Sequence, residues 1–412
     1  MKLYDLSKSY QLFERSERVI PNGIQGPRTP RFAAFGSYPA FFVRNRGARA
    51  WDVDGNEYID FMCSFGAVVL GYQDPAVEKA VAAQAALCNS VSIPSPVMVE
   101  LAERLIGLIP QADWVIYGKN GSDVTTYATQ LARVATGRSE IITAKNAYHG
   151  FHAWCSHHAQ GFPPEYQAHV LEVEYNDLAA LEQLVAEYRG RIAGIMLCPI
   201  RHDAMRDLEI PKPEYFAGVR KICDREGMVF MLDDIRCGFR MHLQGSAMAV
   251  GADPDVVCFG KAMGNGHPIA IAAGKQSLRE PANKIYFSGT HFLAAGPMAA
   301  SLACLNELEA RDAVAHMNAI GAMLKAGMEE RAKAEGPSLR YSGPPAIPYM
   351  LFGDDPGLAN IRYFCGEAAR RGIYIHPHHN WFLSAAHTEA DIKQTLDVAE
   401  ECFKLTRQKF AG

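Results

Sequence analysis

The sequence predicts an α/β protein built on a mostly parallel sheet covered by helices. Two observations carry this. From about residue 75 the chain alternates between amphipathic helical stretches and short apolar runs. Runs such as "AGIMLCPI" and "VVCFG" are apolar at nearly every position, as parallel strands buried on both faces require.

Taken in order, "SKSYQLFERSERVI" has helical spacing and stops at Pro21-Asn22-Gly23. A Pro- and Gly-rich extended segment follows, through Tyr38-Pro39. "ARAWDVDGNEYIDF" reads as two short strands joined at Asp54-Gly55, a hairpin signal. "PAVEKAVAAQAALCN" and "SPVMVELAERLIGLI" are helical, "WVIYG" is a strand, and "SDVTTYATQLARVATG" is helical again. "EIITA", "AGIMLCPI", "GMVFMLDD" and "VVCFG" supply further strands. Past residue 296 the pattern turns helical, then mixed α+β, ending in "TEADIKQTLDVAEECFKLTRQKF". Thr388 and Asp391 have capping-box spacing for that last helix. No low-complexity linker and no internal repeat interrupts the chain.

With 412 residues, 49% hydrophobic and 21% charged, the composition is that of an ordinary globular protein. A net charge of −4 leaves no basic footprint for nucleic acid. No apolar run reaches membrane-spanning length, and the charged N-terminus does not read as a signal peptide. None of the ten cysteines forms a C-x-x-C pair, and several lie in apolar runs. Reduced, packed thiols of a cytoplasmic protein are the expectation.

Ligands of open α/β sheets gather at the carboxyl ends of the strands, so the residues after each run matter most. After "WVIYG" come Gly121 and Ser122 at a helix start, where backbone N–H groups and the helix dipole suit an anion. Plain N-capping by Ser122 would explain the same residues. After "EIITAKNA" come Tyr148, His149 and Gly150, an aromatic face beside a polar ring. After "GMVFML" come Asp233 and Asp234, two carboxylates that repel and need partners. After the next strand comes Lys261, an amine at the end of a buried run and near Asp233 on the sheet edge. A phosphate cradle, a flat neighbour, a carboxylate for a pyridine nitrogen and a desolvated lysine are what pyridoxal 5'-phosphate requires.

These residues also resemble a known family, the class III (omega-type) aminotransferases of PLP fold type I, on the branch of the glutamate-1-semialdehyde aminomutases. The resemblance rests on "ARAWDVDGNEYIDFMCSFGAVVLGYQDPAV", "KNGSDVTTYATQLARVATGRSEIITAKNAYHG", "MLDDIRCGFR", "DVVCFGKAMGNGHPIA", "SGTHFLAAGPMAA" and "FLSAAHTEADI". It implies a seven-stranded type of sheet between helices in a large domain at 51–296. It implies a smaller α+β domain built from both termini, 1–50 and 297–412. It implies an internal aldimine on Lys261, Asp233 paired with the pyridinium, and phosphate at Gly121 and Ser122. Tyr148 would stack on the ring with His149 beside it. Thr290 would bind phosphate across the interface of a homodimer with shared active sites.

Departures bear on the substrate. The family's usual Glu-Pro is here Cys198-Pro199, followed by Arg201 and His202, and Arg236 stands inside "DDIRCGF". With the His- and Trp-rich "HPHHNWFLS", these features look most like an aminotransferase acting on a bulky, long-chain amine, with a keto acid such as pyruvate as acceptor. The acceptor's carboxylate calls for an arginine, and Arg31 (with its neighbour Arg28), Arg201 and Arg236 are the candidates. His202, His378 and His379 are candidates for substrate hydroxyls or for structural hydrogen bonds. His376, His378 and His379 have no carboxylate or cysteine at ligand spacing, so no metal is expected. An aminomutase and a PLP-binding sensor without turnover are the alternative readings.

Overall fold

In the computed structural model, which describes residues 3–156, 160–336, 338–353 and 355–410, the chain forms two compact units. The larger takes Pro75–Asp203 and Glu209–Val314. The other takes the chain up to Asp74, Ala204–Leu208, and the chain from Ala315 on.

The larger unit holds a seven-stranded sheet. Its strands are β1 (Trp114–Gly118), β2 (Glu140–Ala144), β3 (Val170–Val173), β4 (Ile192–Leu197), β5 (Val229–Asp233), β6 (Val256–Phe259) and β7 (Ala270–Gly274), in the order β1-β7-β6-β5-β4-β2-β3. Pairing is parallel from β6 through β5, β4 and β2 to β3, and antiparallel on both sides of β7. The reversal at β7 follows from a short return: His267 N–H closes a turn on the Gly264 carbonyl at 2.9 Å, with Asn265 and Gly266 at positive φ. The apolar runs do not single out two of these strands. β3 is a four-residue edge strand with only Val173 buried, and β7, "AIAAG", is alanine-rich with little β-branched signal.

The helix Gly121–Thr136 lies on this sheet. Val124, Tyr127, Ala128, Leu131 and Ala132 recur at helical spacing and pack with Met196, Met231, Val256 and Ala270 in one buried cluster. It ends at Gly137, in the left-handed conformation glycine accepts most easily. The helix Ala295–Ala310 packs on Pro75–Leu87 and Val97–Leu108, so the larger unit runs past the expected boundary at 296.

In the other unit, Arg49–Asp52 and Glu57–Asp60 form the expected hairpin, turning at Gly55 (φ 92°). Phe42–Arg46 pairs on one side, and Ile373–Tyr374 joins in parallel on the other. That ladder, Ile373 beside Ile59, ties the hairpin to the C-terminal part and moves the division from residue 50 to residue 74. A second hairpin pairs Leu339–Ser342 with Tyr349–Phe352. Thr388 and Asp391 cap the helix Glu389–Phe410 reciprocally, at 2.9 and 3.2 Å. Among the described residues no helix is long and apolar enough to cross a membrane. All ten cysteines are free thiols, and all but Cys88 are buried.

Candidate active site

The ends of β5 and β6 bring the two central residues together. Asp233 of β5 is level with Cys258 of β6, and Lys261 follows Cys258 by three residues. Lys261 opens the 3-10 turn Lys261–Gly264 with φ at 43°, a conformation few non-glycine residues hold without surrounding support. Desolvation, and next the Arg236 cation, bring its amine down to about pKa 8, against a smaller opposing pull from Asp233. At pH 7 about one Lys261 amine in ten is then unprotonated, far more than for an exposed lysine, and able to act as a nucleophile.

The adjacent carboxylates go separate ways. Asp233 is buried and accepts from the Ile235 N–H (3.2 Å) and from His149 Nδ1–H (2.8 Å). Asp234 turns to the other side of the strand and accepts from the Ser246 N–H at 2.6 Å. Burial pushes its pKa up to about 8, so it is mostly neutral at pH 7. The thiol of Cys198, just past β4, completes a group in which the polar atoms of His149, Cys198 and Asp233 lie within 4.8 Å of one another. Burial, and then Asp233, hold that thiol well above its ordinary pKa, so it stays protonated behind the carboxylate. This grouping is invisible in the sequence, where Cys198 registers only as a departure from a motif.

At the end of β1, the helix is capped by Asn120, not by Ser122: the Asn120 and Lys119 N–H groups both donate to Asp123 (2.7 and 3.0 Å). Ser122 instead sits in the first turn, its hydroxyl accepting from Phe151 N–H at 3.1 Å. Gly150, which precedes Phe151, has φ at 127°, and a Cβ there would lie 2.4 Å from Ser122 Oγ. A Cβ on Gly121 would lie 2.6 Å from the Ile235 side chain. Two glycines thus let two loops close on one hydroxyl and one free helix start, a cradle that fits an anion. Tyr148, next along, keeps 48% of its surface exposed and presents a flat ring.

Of the arginines, Arg31 is held by Glu17 (2.7 Å) and lies over Phe35. Arg201 pairs with Glu209 (3.0 Å) and, more loosely, with Asp203. Arg236 donates to the His202 carbonyl at 3.1 Å, within electrostatic reach of Asp233, Tyr148 and Lys261. His202 is buried, and burial with the Arg236 and Lys261 cations keeps its ring neutral. His376 and His378 pack against Phe32, and burial lowers both pKa values, that of His376 to about 3. His379 Nδ1 bonds the Asn380 carbonyl at 2.7 Å. Thr290 is exposed, in a turn closed by Phe292 N–H on the Gly289 carbonyl (3.0 Å).

Comparison with known proteins bears on what this arrangement is. The aminotransferase class-III family model matches residues 33–387. The aminopentol aminotransferase of Sphingopyxis macrogoltabida is 37% identical over 406 residues, covering 98% of this chain and 96% of that protein. The 3-aminobutyryl-CoA aminotransferase of Cloacimonas acidaminovorans is 33% identical, covering 96% of each. A glutamate-1-semialdehyde 2,1-aminomutase of Chloroflexus aggregans is 34% identical, covering 96% of this chain and 98% of that one. Among solved structures, the FumI protein of Sphingopyxis sp. MTA144 in its PLP internal aldimine form superposes with a TM-score of 0.97 at 37% identity, covering 98% of both chains. A family model matched over residues 33–387, and relatives 33–37% identical along nearly the whole chain, show that the chain belongs to the class III aminotransferases and is a pyridoxal-phosphate-dependent enzyme of fold type I.

Proposed function

We propose that this enzyme moves the amino group of a bulky or long-chain amine to a small keto acid such as pyruvate, by a ping-pong sequence of two half-reactions. The observation that carries the chemistry is the pair of Lys261 and Asp233 at the ends of adjacent parallel strands. Pyridoxal phosphate, when bound, supplies an aldehyde that takes up the amino group and a ring that accepts the electrons of the broken C–H bond. The rest falls to the chain. Lys261 holds the cofactor through its amine and, once released, moves the proton at the substrate carbon. Asp233, oriented by His149 and the Ile235 N–H, accepts the hydrogen bond of the ring nitrogen. His149 therefore acts through Asp233 rather than on the ring. Ser122 and the N–H groups from Gly121 onward take the phosphate, and Tyr148 covers one face of the ring.

The amine is proposed by kinship with the relative named for aminopentol. For the acceptor's carboxylate the candidates are Arg31, which is held by Glu17, Arg201, which is held by Glu209, and Arg236. The exposed Thr290 serves the phosphate of a second copy in a homodimer. Ten free thiols suit the reducing cytoplasm as the compartment.

A second reading, an aminomutase, draws on the 34% identity to such an enzyme. One experiment separates them. Long-chain hydroxylated amines are offered with pyruvate, with 2-oxoglutarate, and with no keto acid. Product that appears only with a keto acid, with parallel double-reciprocal lines, supports the transaminase. Sustained turnover from one substrate alone, beyond one equivalent per active site, overturns it. Borohydride treatment of the holoenzyme should fix the cofactor on the peptide containing Lys261.

A further inference from the structure

His202 lies past the end of β4 and is only 5% exposed. Its carbonyl is engaged, but among the described residues no other residue is hydrogen-bonded to its ring. A buried polar ring left without a partner destabilises the fold, so one held in such a place calls for a partner on a ligand.

The place is fixed from two directions. The His202 carbonyl accepts from Arg236 at 3.1 Å, which ties it to the turn after β5. The preceding residue, Arg201, exchanges two backbone hydrogen bonds with Glu209, at 2.9 and 3.0 Å, and its guanidinium pairs with the Glu209 carboxylate at 3.0 Å. Leu197 of β4 is level with Leu232 of β5, and Asp233 of β5 with Cys258 of β6. The segments that follow these three strands therefore carry His202, Arg236 and Lys261 to one edge of the sheet, where His202 feels the charges of the other two.

The chemistry of the ring narrows what it can hold. Both neighbouring charges are cations, and with burial they oppose a proton on the imidazole. A neutral imidazole has one donor and one acceptor. A carboxylate or phosphate is better served by a guanidinium, whereas an alcohol, itself both donor and acceptor, matches the ring. Lys261 moves the proton at the carbon that bears the amine. A group beside Lys261 therefore meets the substrate at the next carbon.

We propose that His202 is a specificity-determining residue that hydrogen-bonds a hydroxyl on the carbon next to the amine-bearing carbon, so that the enzyme selects vicinal amino alcohols over plain amines. The proposal rests on the transaminase reading given above and names the substrate class of that same site.

The test compares kcat/KM, with pyruvate as acceptor, for a 2-aminoalkane and the 2-amino-3-hydroxyalkane of equal chain length, each at its best-used stereoisomer. Wild type, His202→Phe and His202→Gln holoenzymes are measured side by side. Wild type should favour the amino alcohol by about 10–100-fold, the effect of leaving a buried polar group unpaired. The preference should fall to near one in His202→Phe, which keeps a flat ring without donor or acceptor. It should return in part in His202→Gln, which has both. Equal use of the two amines by wild type overturns the proposal, and so does a His202→Phe variant that keeps the preference while losing activity equally on both. Where His202→Phe does not fold, as judged by circular dichroism, His202→Leu takes its place with the same two readings. The half-reaction without keto acid keeps the two levels apart. A cofactor spectrum that neither amine changes brings down the transaminase reading and this proposal together. A wild-type spectrum converted equally fast by both amines brings down the proposal only.

Discussion

Asp233 and Asp234 are neighbours with opposite fates, and strand geometry is the cause. Successive side chains leave a strand on opposite sides, so Asp233 meets His149 while Asp234 meets the Ser246 backbone. Asp233→Asn should keep the fold and lower kcat on the order of 10²–10³-fold, as loss of one preorganised electrostatic partner does. Asp234→Asn should change kcat little, because asparagine mimics the neutral acid that accepts from Ser246. A larger loss at Asp234 would shift the site's register by one residue. The stability effect has a definite sign. Asp234 binds its proton more tightly folded, at about 8 against an ordinary 3.8. The folded state therefore loses stability as pH rises from about 4 to about 8. The Asp234→Asn variant lacks that loss, so relative to wild type it should be more stable at pH 8 than at pH 5. Urea midpoints at the two pH values measure this, and an equal difference at both would refute it.

At the scale of elements, the anion cradle depends on how closely the Tyr148–Gly150 loop approaches the start of the helix Gly121–Thr136. Gly150→Ala would place a methyl 2.4 Å from Ser122 Oγ on a backbone at φ 127°. The strain, about 1–3 kcal/mol, falls on the loop and the first helical turn rather than on the sheet. Cofactor affinity should drop about tenfold or more, read as PLP dissociation from the variant, while circular dichroism stays that of wild type. Unchanged affinity would mean the cradle is not where phosphate binds. The helix start itself was open to two sequence readings, a cap or an anion site at Ser122. The capping falls to Asn120 and Asp123, which leaves Ser122 available to bind.

For the whole molecule, the question is whether one chain completes a site. Thr290 is exposed, in a turn of the larger unit. If it binds the phosphate held by a partner, a heterodimer of a Lys261→Ala chain and a Thr290→Ala chain has one site with both lesions and one with neither. Mixing the two impaired parents should then restore up to about half of wild-type activity per dimer, by that count of sites. No recovery in a heterodimer verified by native mass spectrometry would put Thr290 in its own chain's site, or outside any site.

What the sequence by itself determined is the alternation of helices and strands, the Asp54-Gly55 hairpin, and the polar residues that follow each buried run. Local patterns carry these because burial repeats with the period of the element, and turn residues mark where it stops. The strands β3 and β7 escaped for the same reason, one being a short edge and the other nearly all alanine. The tertiary structure alone decided the strand order, the reversal at β7, the partner of each aspartate and the engagement of Arg31 and Arg201. His149 and Asp233 are 84 positions apart, and the ladder that joins Ile373 to Ile59 spans most of the chain. Contacts at such separations come from packing and register, which no window of neighbouring residues encodes.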